Sequence, residues 1–194
     1  MVRVLERGDI CFFFRPAVQP ADALVTALGV QSFFFVLSPE HGHFHRRVRV
    51  GRKRMPDTSG ERYWARVERI GSLDRVLADQ LEAEVYSTKT RGERYQPGAR
   101  PVAQGSYAFV HHDDHDHLVY RVDHTEDDVP DEVRVADTGS YVVLYERVAP
   151  GRAVWSTDGD PLRLDEAGAE LVLVATDHES FSENLGADSD AHPG

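Results

Sequence analysis

Apolar runs in this chain stop at five residues; Ile10–Phe14 and Phe33–Leu37 are of that length, each closed by a charged or polar neighbour. A membrane-crossing helix needs about 20 consecutive apolar residues. A buried β-strand needs only about four to eight, bounded by turn residues. Ile10–Phe14 sits between Gly8-Asp9 and Pro16, and Ser32–Leu37 repeats the pattern. His43–Val50 alternates: Phe44, Arg46, Val48 and Val50 share one face, and His43, His45, Arg47 and Arg49 the other. That is the signature of a half-exposed strand with a cationic outer face. Arg62–Ile70, Val85–Thr88, Ser106–His111, His117–Val122, Tyr141–Val148 and Glu170–Ala175 read as further strands. The pair around His112-Asp113-Asp114-His115-Asp116 predicts a hairpin.

Two segments carry helical signals. Gln19–Gly29 has Pro20 at a first helical position and Gly29 as a stop. Leu73 to about Glu84 has Ser72 as cap, Asp74 in its first turn, and Leu73, Val76, Leu77 and Leu81 at helical spacing. No internal repeat shows at a fixed period. The expected fold is α+β and mainly β: a small twisted sheet or partly open barrel with two short helices. It forms one domain over 1–175, and the polar, acidic stretch 176–194 is expected to be a disordered tail.

At 194 residues and 41 % hydrophobic, the chain can bury a core of its own. The single cysteine, Cys11, excludes an internal disulfide and a cysteine-based zinc site, which suits a reducing compartment. Its apolar strand marks it as a packed thiol rather than a nucleophile. Charges occupy Met1–Asp9 where a secretion signal needs an apolar run, so a cytoplasmic protein without membrane attachment is expected. There is no P-loop and no GxGxxG, and Gly105-Ser106 lacks the second glycine of a nucleophile elbow. The reading therefore leans away from an enzyme.

Charge is sorted by position. From Phe44 to Pro101 there are fourteen Arg or Lys against eight Asp or Glu, in a chain whose net charge is −11. A basic surface on an acidic body points to a polyanionic partner: RNA, DNA or a nucleotide. The cations concentrate in 46–54 and 89–100. Lys89–Pro101 reads as a long connection between strands, in which Arg91, Arg94 and Arg100 would hold phosphates and Tyr95 would stack a base. Arg47, Arg49, Arg52 and Lys53 would extend the track. The bland alternative is that these arginines pair with neighbouring carboxylates. A third reading is a protein–protein module in which the basic face docks an acidic partner or the acidic tail.

Two alternative sources would account for the overall composition of twenty Arg, two Lys, nineteen Asp and fourteen Glu. One is adaptation to a salty cytoplasm and the other a GC-rich genome. In the first case phosphate contacts lose affinity steeply with salt, which weakens the basic-track argument.

Of ten histidines, seven cluster in 41–45 and 111–117. His43 and His45 lie two apart on a strand and project to one side, and His115 with His117 repeats the arrangement. The four, with Asp113, Asp114 or Asp116, make a candidate site for a divalent metal such as zinc, iron or nickel, and no other cofactor is implied. The alternative is a histidine-decorated hairpin in solvent.

Glu6-Arg7-Gly8-Asp9-Ile10-Cys11-Phe12-Phe13-Phe14 resembles the Gly-Asp and aromatic-strand element of the PUA-like barrels, which include the ASCH and EVE families. Arg62-Tyr63-Trp64-Ala65-Arg66-Val67-Glu68-Arg69-Ile70 is similar to their following strand. The resemblance implies a small barrel that binds RNA or a modified base in a pocket. The basic strand and the histidine hairpin lie outside that pattern, so no binding residue carries over. The whole chain also resembles a family of uncharacterised proteins from halophilic archaea, which implies no activity.

Overall fold

The structure, a computed structural model, describes residues 2–21, 29–149, 152–157 and 161–177. Its strands are β1 (Val2–Pro16), β2 (Gln19–Pro20), β3 (Val30–Pro39), β4 (His45–Val50), β5 (Arg62–Gly71), β6 (Glu84–Thr88), β7 (Gly92–Gln96), β8 (Arg100–His112), β9 (His115–Thr125), β10 (Thr138–Ala149), β11 (Arg152–Ser156) and β12 (Glu170–Ala175). One α-helix, α1 (Leu73–Leu81), and two 3-10 turns, Asp131–Val133 and Pro161–Asp165, complete the described elements. Among these residues, no helix is long and apolar enough to cross a membrane.

The fold is mainly β, as the strand patterns imply, but the barrel is closed rather than partly open. Eight antiparallel strands run around it in the order β1-β3-β4-β5-β12-β10-β9-β8, and β8 returns to β1. Closure removes the free edges that an open sheet must protect. Alternate residues fill the inside: Ile10, Phe12 and Phe14 of β1 meet Phe33, Phe35 and Leu37 of β3, and Phe12 packs edge-on to Tyr120 with ring centroids 5.0 Å apart. Burying each such side chain contributes about 1.5–3 kcal/mol. The 3-10 turns plug the two ends, Leu164 at one and Val133 at the other, both within the same core.

The barrel is two copies of one unit. Strands β1, β3, β4 and β5 form a four-stranded meander; β8, β9, β10 and β12 form another. The meanders join first strand to first and last to last, and both seams exchange partners symmetrically. Gly8 faces Tyr107 while Ile10 faces Gly105; Tyr63 faces Leu173 while Ala65 faces Leu171. A twofold axis through the Asp9–Ser106 and Trp64–Val172 pairs generates this pattern. The remaining registers make Phe35 equivalent to Leu118, Leu37 to Tyr120, Val48 to Tyr141 and Val50 to Val143, all in the core. Glycine is required at matched places. A Cβ on Gly8 would run into the Ser38 carbonyl and one on Gly105 into the Arg121 carbonyl, and Ser38 and Arg121 are themselves equivalent. The symmetry follows no fixed period, since equivalent residues are offset differently on each strand; Gly8-Asp9-Ile10-Cys11-Phe12 and Gly105-Ser106-Tyr107-Ala108-Phe109 are its sequence trace.

Residues 72–99 join the halves. The Ser72 side chain accepts from the Arg75 amide at 3.4 Å, so the cap is as expected, but α1 ends at Leu81, short of Glu84. Val76 buries α1 against Phe34 and Val36 on the outside of the barrel. Lys89–Pro101 is not a long loop. It contains a hairpin turn and strand β7, which pairs with β6 and β2 in a separate three-stranded ribbon. Gln19–Pro20, expected to open a helix, is the short outer strand of that ribbon; the rest of the expected helix, 22–28, lies outside the described residues. The described fold runs past 175, since the Thr176 amide and hydroxyl both donate to the Ser140 carbonyl at 3.0 Å. Residues 178–194 of the expected tail lie outside the described residues.

Candidate functional site

The arginines of 46–54 divide by their position on β4. Arg46 points into the barrel and is buried, donating to both oxygens of Glu6 at 2.6 and 2.9 Å and to Asp165 at 2.6 Å. Burial works against its charge, but the two carboxylates outweigh that and raise its pKa. Arg47 points outward as expected, yet it is buried beneath α1. Its guanidinium donates to the Val76 carbonyl at 2.7 Å, to Asp79 at 2.6 and 3.2 Å, and to Glu68 at 3.1 Å. Arg49 pairs with Glu68, and Arg54 with Glu61 and Asp57. On the outer face of β4, α1 roofs Arg47, and carboxylates pair with both Arg47 and the half-exposed Arg49. Arg52 and Lys53 stay exposed in the turn after β4; Arg52 lies 5.9 Å from the Tyr63 ring centre, and Lys53 is 3.8 Å from Glu132.

The cations of 89–100 are differently placed. Lys89, Arg91 and Arg100 are exposed, and Arg94 and Tyr95 are half-buried. Gly92, with φ of 67°, closes the β6–β7 turn, and the Thr88 hydroxyl accepts the Arg91 amide at 3.0 Å. Tyr86 pairs across the strands with Arg94, which puts both side chains on one face of the ribbon; Val85 pairs with Tyr95 on the other. Val85 is 65 % and Tyr86 42 % exposed. Arg52 and Lys53 belong to the same barrel end as Arg100, because Val50, Phe33, Phe14 and Arg100 form one cross-strand row.

The histidines separate into different settings. His43 is exposed in the β3–β4 turn, and His45 binds the Ser38 hydroxyl through Nδ1 at 2.7 Å. His112, His115 and His117 follow one another along the β8–β9 hairpin, the first pair of rings edge-on and the second tilted, with the last two ring centres 4.7 Å apart. Burial, with the neighbouring His115 and His112, pushes the His117 pKa down to about 4. His111 is held on Asp116 at 2.7 Å. Among the described residues, no three His, Cys, Asp or Glu side chains converge as a metal-binding group.

Two concavities lie beside these charged and histidine side chains. A groove of about 820 Å³ crosses the outer face over a polar row, Arg121, Ser106, Asp9, Ser38 and His45, contributed by adjacent strands. A smaller cavity of about 250 Å³ opens at the barrel end closed by Asp165, above Arg46 and Glu6. The Tyr107 hydroxyl donates to Glu6 at 2.6 Å, and burial in the first place, with Glu6 in the second, raises the Tyr107 pKa. The sequence reading passed over Glu6, Tyr107 and Asp165. They lie far apart in the chain, and only barrel closure brings them together. Comparison with protein-family models, curated protein sequences and solved structures finds no match to this chain.

Proposed function

We propose that this protein is a non-enzymatic nucleic-acid or nucleotide-binding domain and that its binding face is the β2–β7–β6 ribbon. The supporting observation is a ribbon that carries aromatic and cationic side chains in solvent. A sheet that served only the core would not leave Val85 and Tyr86 so exposed. In this reading Tyr86 offers a stacking platform beside Arg94, with Lys89, Arg91 and Arg100 along the backbone path and Arg52 and Lys53 extending it. Base stacking on an aromatic contributes about 1–3 kcal/mol per base and tolerates any sequence. Arg47 and Arg49 leave the candidate track, because α1 and the carboxylates of Glu68 and Asp79 already occupy them.

The test is the salt dependence of binding to labelled single-stranded RNA and DNA. Arg91→Ala with Arg94→Ala should weaken binding and flatten the log–log salt slope by about 1.4, since each lost phosphate contact to a single strand removes about 0.7. A weakened complex with an unchanged slope would refute the phosphate role. Tight binding of an acidic polypeptide with none of either nucleic acid would replace this reading by the protein-partner one.

A further inference from the structure

We propose that the cavity at the Asp165 end of the barrel is a binding site for a side-chain-sized organic cation, an alkylammonium or guanidinium. The pseudo-twofold supplies an internal control. Glu6 corresponds to Ala103 and Arg46 to Gly139 in the second meander, and Tyr107 corresponds to Ile10 in the first. At these matched positions one end of the same architecture has alanine, glycine and isoleucine, while its own phenols, Tyr120 and Tyr141, stand at other positions. The other carries a buried guanidinium, a buried phenol and two carboxylates. Barrel closure does not require that set, and a buried ionic cluster is costly to desolvate and weak evidence for stability.

The arrangement selects a charge. Glu6 and Asp165 present two carboxylates to the single guanidinium of Arg46. Glu6 lies deep, with both oxygens on Arg46 and one also taking the Tyr107 hydroxyl. Asp165 is nearer the mouth, 34 % exposed, and binds Arg46 through Oδ1. In this proposal its second oxygen, Oδ2, accepts from the incoming N–H group. The cavity, about 250 Å³, is smaller than a drug-sized pocket of about 300–1,000 Å³ and suits one side-chain-sized group. Leu5, Pro39 and Phe44 line it, and Phe44 is 56 % exposed. An exposed phenyl face attracts a cation through the ring quadrupole. Arg7, His41 and His43 share the rim, where all three are exposed and water screens them.

The experiment titrates the whole protein with n-butylammonium, butyrate and n-butanol at matched ionic strength, following the Phe44 ring and Gly42 amide NMR signals. Butylammonium should give saturable shifts; butyrate and butanol should not. Asp165→Asn should weaken butylammonium at least tenfold. Should that variant lose its fold, Phe44→Leu, at an exposed position, should still weaken binding severalfold. Tighter binding of butyrate, no saturable response to butylammonium, or an affinity indifferent to the folded variants would overturn the proposal. The ribbon reading stands or falls separately, because its residues share none of these signals.

Discussion

Arg47→Met should destabilise the fold by about 3 kcal/mol while leaving the candidate ribbon intact. The side chain is 3 % exposed and ties α1 to the barrel through one carbonyl, Val76, and two carboxylates, Asp79 and Glu68. Its hydrogen bond is the first cause of the depressed Asp79 pKa, about 2. Methionine keeps the apolar stem against Phe34 but takes the buried donor away from those acceptors, leaving Glu68 with Arg49 and Asp79 with Arg69 and Gln80. Removing one partner of a buried ion pair costs about 3–5 kcal/mol. Asp79 and Glu68 are 39 % and 23 % exposed, so water recovers part of the loss and the lower figure applies. About 3 kcal/mol is roughly a hundredfold in the unfolding constant, or about 6–12 °C in Tm for a chain of this length. Urea unfolding reads it directly: the midpoint should fall and the m-value should hold. Arg91→Ala, at a solvent-exposed turn, should stay within about 0.5 kcal/mol of the parent. A cost below about 1 kcal/mol for Arg47→Met, or an equal cost for Arg91→Ala, would refute the division into structural and available arginines.

Three further outcomes are expected. His117 has a folded pKa of about 4, below the unfolded value near 6.5, so its contribution is whole above pH 6.5 and declines as pH falls toward 4. The loss reaches about 3 kcal/mol at most, and His117→Phe should flatten the pH–stability curve in that window; identical curves for parent and variant would contradict this. Gly8→Ala and Gly105→Ala should each cost about 2 kcal/mol or more in chemical denaturation, since both meet a neighbouring strand carbonyl. A neutral result at either would break the structural equivalence of the two halves. Tyr86→Ala should weaken single-strand binding by about 1–3 kcal/mol in a fluorescence titration with no change in midpoint urea concentration, and unaltered affinity would remove the stacking role.

Strand positions were legible because short apolar runs and period-two alternation are local: Ile10–Phe14 and Ser32–Leu37 lie on strands, and of His43–Val50 the stretch from His45 does, with His43 and Phe44 in the preceding turn. Closure was not, because the β5–β12 seam joins residues more than a hundred positions apart, such as Trp64 and Val172. The duplication hid for a physical reason. A barrel asks its inward positions only to be apolar and of compatible volume, so Leu37 can answer to Tyr120 and Val48 to Tyr141 without identity. Only Gly8 and Gly105, where strand approach forbids a side chain, had to stay alike. The arginine count misled at β4. Alternation correctly separated Arg46 from Arg47, but sequence could not show α1 folding back over Arg47 or Glu6 reaching Arg46 across the barrel. The same count served better at 89–100, where no element roofs the ribbon among the described residues. The histidines illustrate the limit of spacing arguments: β9 does place His115 beside His117, while His43 and His45 belong to a different turn and strand.

The most direct measurement is an amide chemical-shift map of the full chain titrated with a short single-stranded oligonucleotide at low and at molar potassium chloride. The account expects shifts concentrated between Val85 and Arg100, with weaker ones at Arg52 and Lys53, and smaller in the high-salt arm. Shifts confined to another part of the barrel, or none in either arm, would contradict the ribbon as the nucleic-acid face.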